Sequence, residues 1–308
     1  MKFIDPKIDF AFKKIFGSEN AKDVLISFLE SLLGLEGDRR IAELTLLDPF
    51  QTPKIRDLKY SILDVKCRDH RGINYIVEMQ VQKVSAFLKR IQYNAAKAYA
   101  SQIERGEDYP RLNQVIAVTI VDFSVWDGFE HCVSRHEMRE SVTGQSFLQD
   151  ILHIFVELPK FEKSLEQLND ILDRWIYFIR YADSLKEIPP QLQAAPFHHA
   201  FEMALVANMT ADELELYEKA GIAIADARGM VELAKAEGRA EGRAEGIQLG
   251  EQRGKLEGRV EALLDLLQDH FGTVPEWVPS RLASADLATL KAWGKRILGA
   301  EKIEHVFQ

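Results

Sequence analysis

Lys59-Tyr60-Ser61-Ile62-Leu63-Asp64-Val65-Lys66-Cys67, Asp69-His70-Arg71-Gly72 and Ile73-Asn74-Tyr75-Ile76-Val77-Glu78-Met79-Gln80-Val81 decide the fold. The two long runs are rich in β-branched and aromatic residues and the four residues between them carry turn chemistry, so the stretch predicts a β-hairpin. Each run holds one acid among apolar neighbours: Asp64 between Leu63 and Val65, Glu78 between Val77 and Met79. A carboxylate inside an apolar strand costs desolvation energy unless it is paired or bound to a cation. Gln80 stands two residues beyond Glu78 and Lys66 two beyond Asp64. Side chains alternate along a strand, so each lies on the same face as its acid. Two such acids, fourteen residues apart across a turn, suggest a common ion. The plainer alternative is that each is a surface residue of a half-exposed antiparallel strand.

Upstream of the hairpin, Ile8, Phe12, Ile15 and Phe16 recur at helical spacing, and a second helix runs from Glu19 or Asn20 to a stop at Gly34. Ile41–Leu47 reads as a strand closed by Asp48-Pro49. Downstream, residues 85–105 form an Ala-rich amphipathic helix ending near Gly106. Asn113–Asp122, Glu130–Arg139 and Ile151–Leu158 follow as strands. From Ser164 the chain reads as helical almost to its end, starting with Leu165–Arg180. The fold class is therefore α/β, a mixed central sheet flanked by helices, followed by an all-helical C-terminal half. The division expected is a core over 1–160, a helical extension over 161–236, a helical linker over 237–259 and a small helical domain over 260–308.

In the linker, Gly238, Gly242, Gly246, Gly250, Gly254 and Gly258 recur at every fourth position among Glu, Arg, Ala, Lys and Gln. A four-residue step on a 3.6-residue turn makes these glycines a slowly spiralling stripe. The tract is either a solvated helical spacer or a close-packed helix–helix seam through which the protein self-associates. Beyond it, Val260–Phe271 is an amphipathic helix, Gly272-Thr273-Val274-Pro275 breaks it, and Asp286–Leu298 forms another.

The bulk numbers bound the function. With 308 residues, 46% hydrophobic and 28% charged, the chain has the composition of an ordinary globular protein of about two domains. Its two cysteines, Cys67 and Cys132, lack metal-ligand spacing and read as free thiols. No apolar leader and no stretch near the roughly 18 apolar residues of a membrane span is present, so a cytoplasmic protein without membrane contact is expected. The net charge of −9 is uneven: residues 1–105 carry 18 Lys and Arg against 14 Asp and Glu, the remainder 21 against 34. The first third can therefore meet a phosphate backbone locally, although the whole chain is acidic. The histidines lack an i, i+4 pair, and the glycine tract lacks the Lys-Ser/Thr ending of a phosphate-binding loop.

Hydrolysis of a phosphodiester needs a nucleophilic water, neutralisation of developing charge and help for the leaving oxygen. Divalent cations held by carboxylates and a backbone carbonyl supply these. The pattern Asp64…Glu78-Met79-Gln80 resembles the D…(D/E)-x-K core of PD-(D/E)xK, restriction-endonuclease-like nucleases, with Gln at the lysine position. Asp9-Phe10-Ala11-Phe12-Lys13-Lys14-Ile15-Phe16-Gly17, Leu63-Asp64-Val65-Lys66, Val77-Glu78-Met79-Gln80 and Arg90-Ile91-Gln92-Tyr93 together resemble the recombination-promoting nuclease (transposase) family of that superfamily. Trp175–Phe178 and the glycine tract fit it as well, over roughly residues 1–260. Phe271-Gly272…Pro275-Glu276-Trp277 and Asp286-Leu287…Leu290 resemble a small helical domain appended to such proteins.

The resemblance implies a DNA endonuclease using Mg2+ (or Mn2+ or Ca2+), linked to recombination or DNA mobility. Asp64 and Glu78 would be metal ligands and Gln80 would take the lysine's position, hydrogen-bonding water or phosphate. Lys66, from its strand face, is a source of the missing positive charge. Asp9 either joins the site from the first helix or is a helix-start charge favoured by the dipole. Lys13 is either a phosphate contact or a solvated lysine. Arg90 and Tyr93, one helical turn apart, either face the DNA cleft or belong to an ordinary surface helix. A catalytically silent DNA-binding or scaffold protein on the same fold is the competing reading, and Gln80, the acidic net charge and the long helical linker favour it.

Overall fold

The computed structural model describes residues 1–51, 61–104 and 106–308. Lys59 and Tyr60 of the expected hairpin, and Arg105 at the end of the expected Ala-rich helix, lie outside the described residues. Two compact units make up the chain, Met1–Arg228 and Gly229–Gln308. In the first, helices α1 (Asp9–Phe16) and α2 (Lys22–Leu33) precede strands β1 (Leu44–Leu46), β2 (Phe50–Gln51), β3 (Ser61–Ile62), β4 (Val65–Asp69) and β5 (Asn74–Gln80). Helix α3 (Phe87–Ala100) leads to β6 (Val115–Val121), β7 (Val133–His136) and β8 (Ile151–Glu157), then to α4 (Ile171–Tyr181) and α5 (Phe197–Ala204). Helix α6 (Ala211–Phe271) starts in this unit and ends in the second, which adds α7 (Trp277–Ala283) and α8 (Leu287–Ile297).

Six strands form a mixed sheet in the order β1-β4-β5-β6-β8-β7. The β1–β4, β4–β5 and β7–β8 pairs are antiparallel, and β5–β6 and β6–β8 are parallel. Central β6 is buried at every position, which explains why Val115–Val121 reads as a continuous apolar run and not as an alternation. The parallel β5–β6 pair needs a crossover, and α3 supplies it.

The two faces of the sheet have different covers. Val65, Cys67, Val77, Ile116, Val118, Ile120, Ile154 and Val156 belong to the main core with Phe12 and Phe16 of α1, Phe28 of α2, Trp175 and Phe178 of α4 and Phe201 of α5. Each fully buried aromatic contributes roughly 2–3 kcal/mol of hydrophobic stabilisation. The Trp175 indole N–H meets its polar requirement by donating to Ser27 Oγ at 3.1 Å. On the other face α3 packs Ala95 and Ala98 against Ile76, Val115 and Ala117, and Phe87 and Ile91 against Val121 and Phe155. Small residues at 95 and 98 let that helix sit close to the sheet.

Several expected elements change at their ends. The single strand expected over Lys59–Cys67 is interrupted: Ser61–Ile62 pairs with Phe50–Gln51 in a separate ribbon, the chain bends at Leu63-Asp64, and β4 begins at Val65. The helix expected from Leu165 starts at Ile171, because Ser164 caps a short 3-10 turn over Leu165–Gln167 and Asp170 then caps α4 by accepting from the Asp173 N–H at 2.7 Å. The stop at Gly34 is as expected, with φ 63° in the left-handed region that terminates a helix. The glycine tract is helical within α6.

In the second unit, Leu263 and Leu267 of α6 pack against Val278 and Leu282 of α7 and Leu290, Trp293 and Ile297 of α8. Asp286 caps α8, accepting from the Thr289 N–H at 2.7 Å. Among the described residues no helix is long and apolar enough to cross a membrane.

Candidate active site

The site grows out of the bend at Leu63-Asp64. Along β4–β5 the register pairs Val65 with Val77 and Cys67 with Tyr75, so the ladder extended by two residues would bond Leu63 to Met79. It does not extend. The Leu63 N–H donates instead to the Pro49 carbonyl at 3.1 Å, and the Asp64 carboxylate takes over, accepting from the Met79 N–H at 2.8 Å. The Met79 carbonyl points to the same side as its N–H, toward the space β4 has left. One residue's turn in the strand thus swaps a backbone acceptor for a negatively charged one and opens a gap at the sheet's end.

Helix α1 reaches that gap from the main-core face. A Cβ on Gly17 would stand 2.8 Å from the Lys13 carbonyl oxygen of α1 itself and 3.2 Å from Val65 Cγ2 of β4, so a larger residue would crowd the end of the helix. One helical spacing apart, Asp9 and Lys13 form an ion pair at 2.8 Å, and the Lys13 ammonium also stands 3.6 Å from Asp64 Oδ1. Burial pushes the Asp64 carboxyl up to about 7, and the neighbouring Asp9 carboxylate adds to the rise. The Met79 N–H and the Lys13 charge pull the other way without cancelling it. Burial alone would lower the Lys13 pKa, but the hydrogen bond to Asp9 and the fields of Asp64 and Asp9 raise it.

The α3 face brings in the other half. Glu78 and Gln80 point to the side covered by α3, and Arg90 and Asn94, four residues apart on that helix, stand over them. Asn94 Nδ2 donates to Glu78 Oε1 at 3.1 Å, and Arg90 Nη2 donates to Gln80 Oε1. Burial raises the Glu78 carboxyl, partly offset by the Arg90 charge and the Asn94 hydrogen bond. Asn94 Oδ1 is buried and has no partner among the described residues. Asn94 is the residue sequence reading passed over; its signal is a buried amide on the apolar side of an Ala-rich helix, beside Ile91, Ala95 and Ala98.

Asp9, Lys13 and Asp64 therefore meet on one side of the gap, and Glu78, Gln80, Arg90 and Asn94 on the other. Lys66 joins neither set through a hydrogen bond or ion pair among the described residues; burial lowers its pKa, the Arg68 charge lowers it further, and Asp48 opposes them. Tyr93 is exposed, with the Lys97 ammonium 5.9 Å from its ring centre.

The donor set suits a hard divalent cation that keeps several waters. Among the described residues no three carboxylate, histidine or cysteine side chains gather as a ready-made metal cage. Asp64 and Glu78 are largely buried acids whose proton affinity is raised by that burial, with the Lys13 and Arg90 charges offsetting only part of it. Such acids, beside a backbone carbonyl facing a gap, match a magnesium-type site of one or two carboxylates completed by water and substrate.

A mixed sheet with helices on both faces and an acid at the broken strand defines the PD-(D/E)xK, restriction-endonuclease-like class. The model of the PD-(D/E)XK nuclease family transposases matches residues 6–234, and the chain belongs to that family. No curated protein and no solved structure matches the chain.

Proposed function

We propose that the protein is a divalent-metal-dependent DNA endonuclease that hydrolyses phosphodiester bonds and promotes recombination or DNA mobility. The observation that carries the reading is the bend at Asp64, where a buried carboxylate replaces a strand's backbone acceptor inside a nuclease-family domain. Asp64 and Glu78 would hold Mg2+, or Mn2+ or Ca2+ in its place, with the Met79 carbonyl. When bound, the ion supplies an activated water and neutralises charge on the phosphate. Lys13 holds Asp9 and Asp64 against their mutual repulsion, Asn94 orients Glu78, and Gln80 hydrogen-bonds toward the substrate side. Lys13, Arg90 and Tyr93 are the proposed DNA contacts, and Lys66 is a further source of positive field.

In this reading residues 1–160 carry the chemistry, 161–236 extend the core, 237–259 form a helical spacer and 260–308 a small helical domain. Self-association through the helical half is part of the proposal, as is a cytoplasmic location where DNA is in reach. Deleting 237–259 should lower the mass in light scattering; an unchanged mass removes that part alone.

Gln80 at the lysine position supports a second reading, a protein that binds DNA without cutting it. Nicking of supercoiled plasmid in magnesium, manganese, calcium and EDTA separates the two. Cation-dependent nicking that disappears in Asp64→Ala supports the endonuclease, whereas DNA binding without nicking in any ion supports the silent protein.

A further inference from the structure

A phosphodiester in transit to products gathers negative charge on its oxygens, and a nuclease site ordinarily sets a side-chain cation against it. Position 80 holds a neutral amide, so that charge has to come from elsewhere. Three basic residues are near enough to consider. Lys13 is engaged by two carboxylates, Asp9 at 2.8 Å and Asp64 at 3.6 Å, and acts as their counter-ion. Lys66 is half-buried, and both burial and the Arg68 charge work against its own. Arg90 is different: its guanidinium is exposed, its hydrogen bond goes to the neutral oxygen of Gln80, and its charge acts on a single carboxylate, Glu78.

Resting on the endonuclease reading, we infer that Arg90 is the catalytic cation of this site, with Gln80 as the residue that positions it against the scissile phosphate. A guanidinium carries five donors in a planar fork. One is spent on Gln80, leaving others able to grip phosphate oxygens in pairs. The amide is the side chain suited to this task. A glutamate at 80 would hold the arginine but cancel its charge, and a lysine there would repel it.

The helix is built to deliver the group. Arg90 and Asn94 share one face of α3, so the turn that sets Asn94 on Glu78 also sets Arg90 on Gln80. The first turn is anchored by Ala86, a non-glycine residue at φ 59°, whose carbonyl accepts from the Arg90 N–H at 3.0 Å. That left-handed conformation is costly for a residue with a Cβ, and it persists just where α3 must begin for the two contacts to form.

The test uses the full chain, with single-turnover nicking of supercoiled plasmid in magnesium and DNA affinity by fluorescence anisotropy in EDTA. The proteins are wild type, Asp64→Ala, Arg90→Ala, and Gln80→Lys combined with Arg90→Ala, each checked for folding by circular dichroism. Arg90→Ala is expected to slow nicking about 100-fold. In EDTA its DNA binding should lose only about one unit of salt slope, the signature of a single phosphate contact. The double variant should recover at least about tenfold of the lost rate, because a lysine at 80 restores the charge directly, an outcome that a packing role for Arg90 would not give.

Arg90→Ala that nicks like wild type, while Asp64→Ala does not, overturns this inference and leaves the endonuclease reading standing. Failure of the double variant to recover, with the protein folded, also overturns it. A wild type that nicks in no cation overturns both.

Discussion

Asp64 stands just before strand β4 and Asp69 at its end, and the two have opposite surroundings. Asp69 has no side-chain exposure and is saturated with donors: the backbone N–H groups of Arg71 and Ile73, the Arg71 guanidinium through Nε and Nη2, and the Tyr75 hydroxyl. Asp64 is 17% exposed and has one backbone N–H, plus an ammonium shared with Asp9. The first is a completed structural joint that fixes the turn at Gly72. The second is a buried acid short of positive charge. That deficit, and not burial as such, marks a place prepared for a cation and a phosphate.

The comparison breaks most visibly under mutation. Asp69→Ala should cost about 3–5 kcal/mol of unfolding free energy, since it strands a partly buried guanidinium and two turn N–H groups. Urea unfolding measures this, and a loss below about 1 kcal/mol would mean that the Asp69 network is decoration.

A second contrast lies in pH. Asp64 titrates near 7 in the folded chain against about 3.9 in an unfolded one. The folded state therefore binds more protons between these values, and this group's contribution is fully present at low pH and lost as pH rises through about 7. In the cation-free protein the loss is on the order of 2–4 kcal/mol between pH 5 and 8, and it should be absent from Asp64→Asn. Magnesium should raise the melting temperature more at pH 8 than at pH 6, because binding displaces a proton. Parallel stability–pH curves for wild type and Asp64→Asn would contradict the assignment.

A smaller effect sharpens the picture at Glu78. Asn94→Ala removes a hydrogen bond that favours the ionised form, so the acid limb of the nicking–pH profile should move upward, with about 1 kcal/mol lost in stability. An unmoved limb would show that Asn94 only fills space. Smaller again, Asp170→Ala removes the α4 cap and should cost about 1 kcal/mol or less, with nicking unchanged.

What could be read from the sequence follows the same division. The hairpin was legible because the apolar run around Ile62–Val65 and the strand formers of Asn74–Gln80 flank a turn that ends in a glycine at φ 85°. The helix over Phe87–Ala100 and the buried run Val115–Val121 were equally plain, one from its period and the other from its lack of one. The bend at Asp64 was not legible, because it depends on the Leu63 N–H finding Pro49, a contact that no local propensity encodes. Arg90 and Tyr93 were paired by sequence spacing, but the sheet beneath α3 selects Arg90 and Asn94. Lys66 shares a strand face with Asp64 on paper, and the bend between them separates their neighbours.

The most direct test of the account is Asp64→Asn, followed by two readings on the same preparation: plasmid nicking in magnesium, and urea unfolding without cation at pH 8. Nicking should be lost while stability is equal to or greater than that of wild type, because the uncompensated charge is gone. Nicking that survives, or a stability loss like that expected of Asp69→Ala, would place Asp64 among the structural joints and contradict the account.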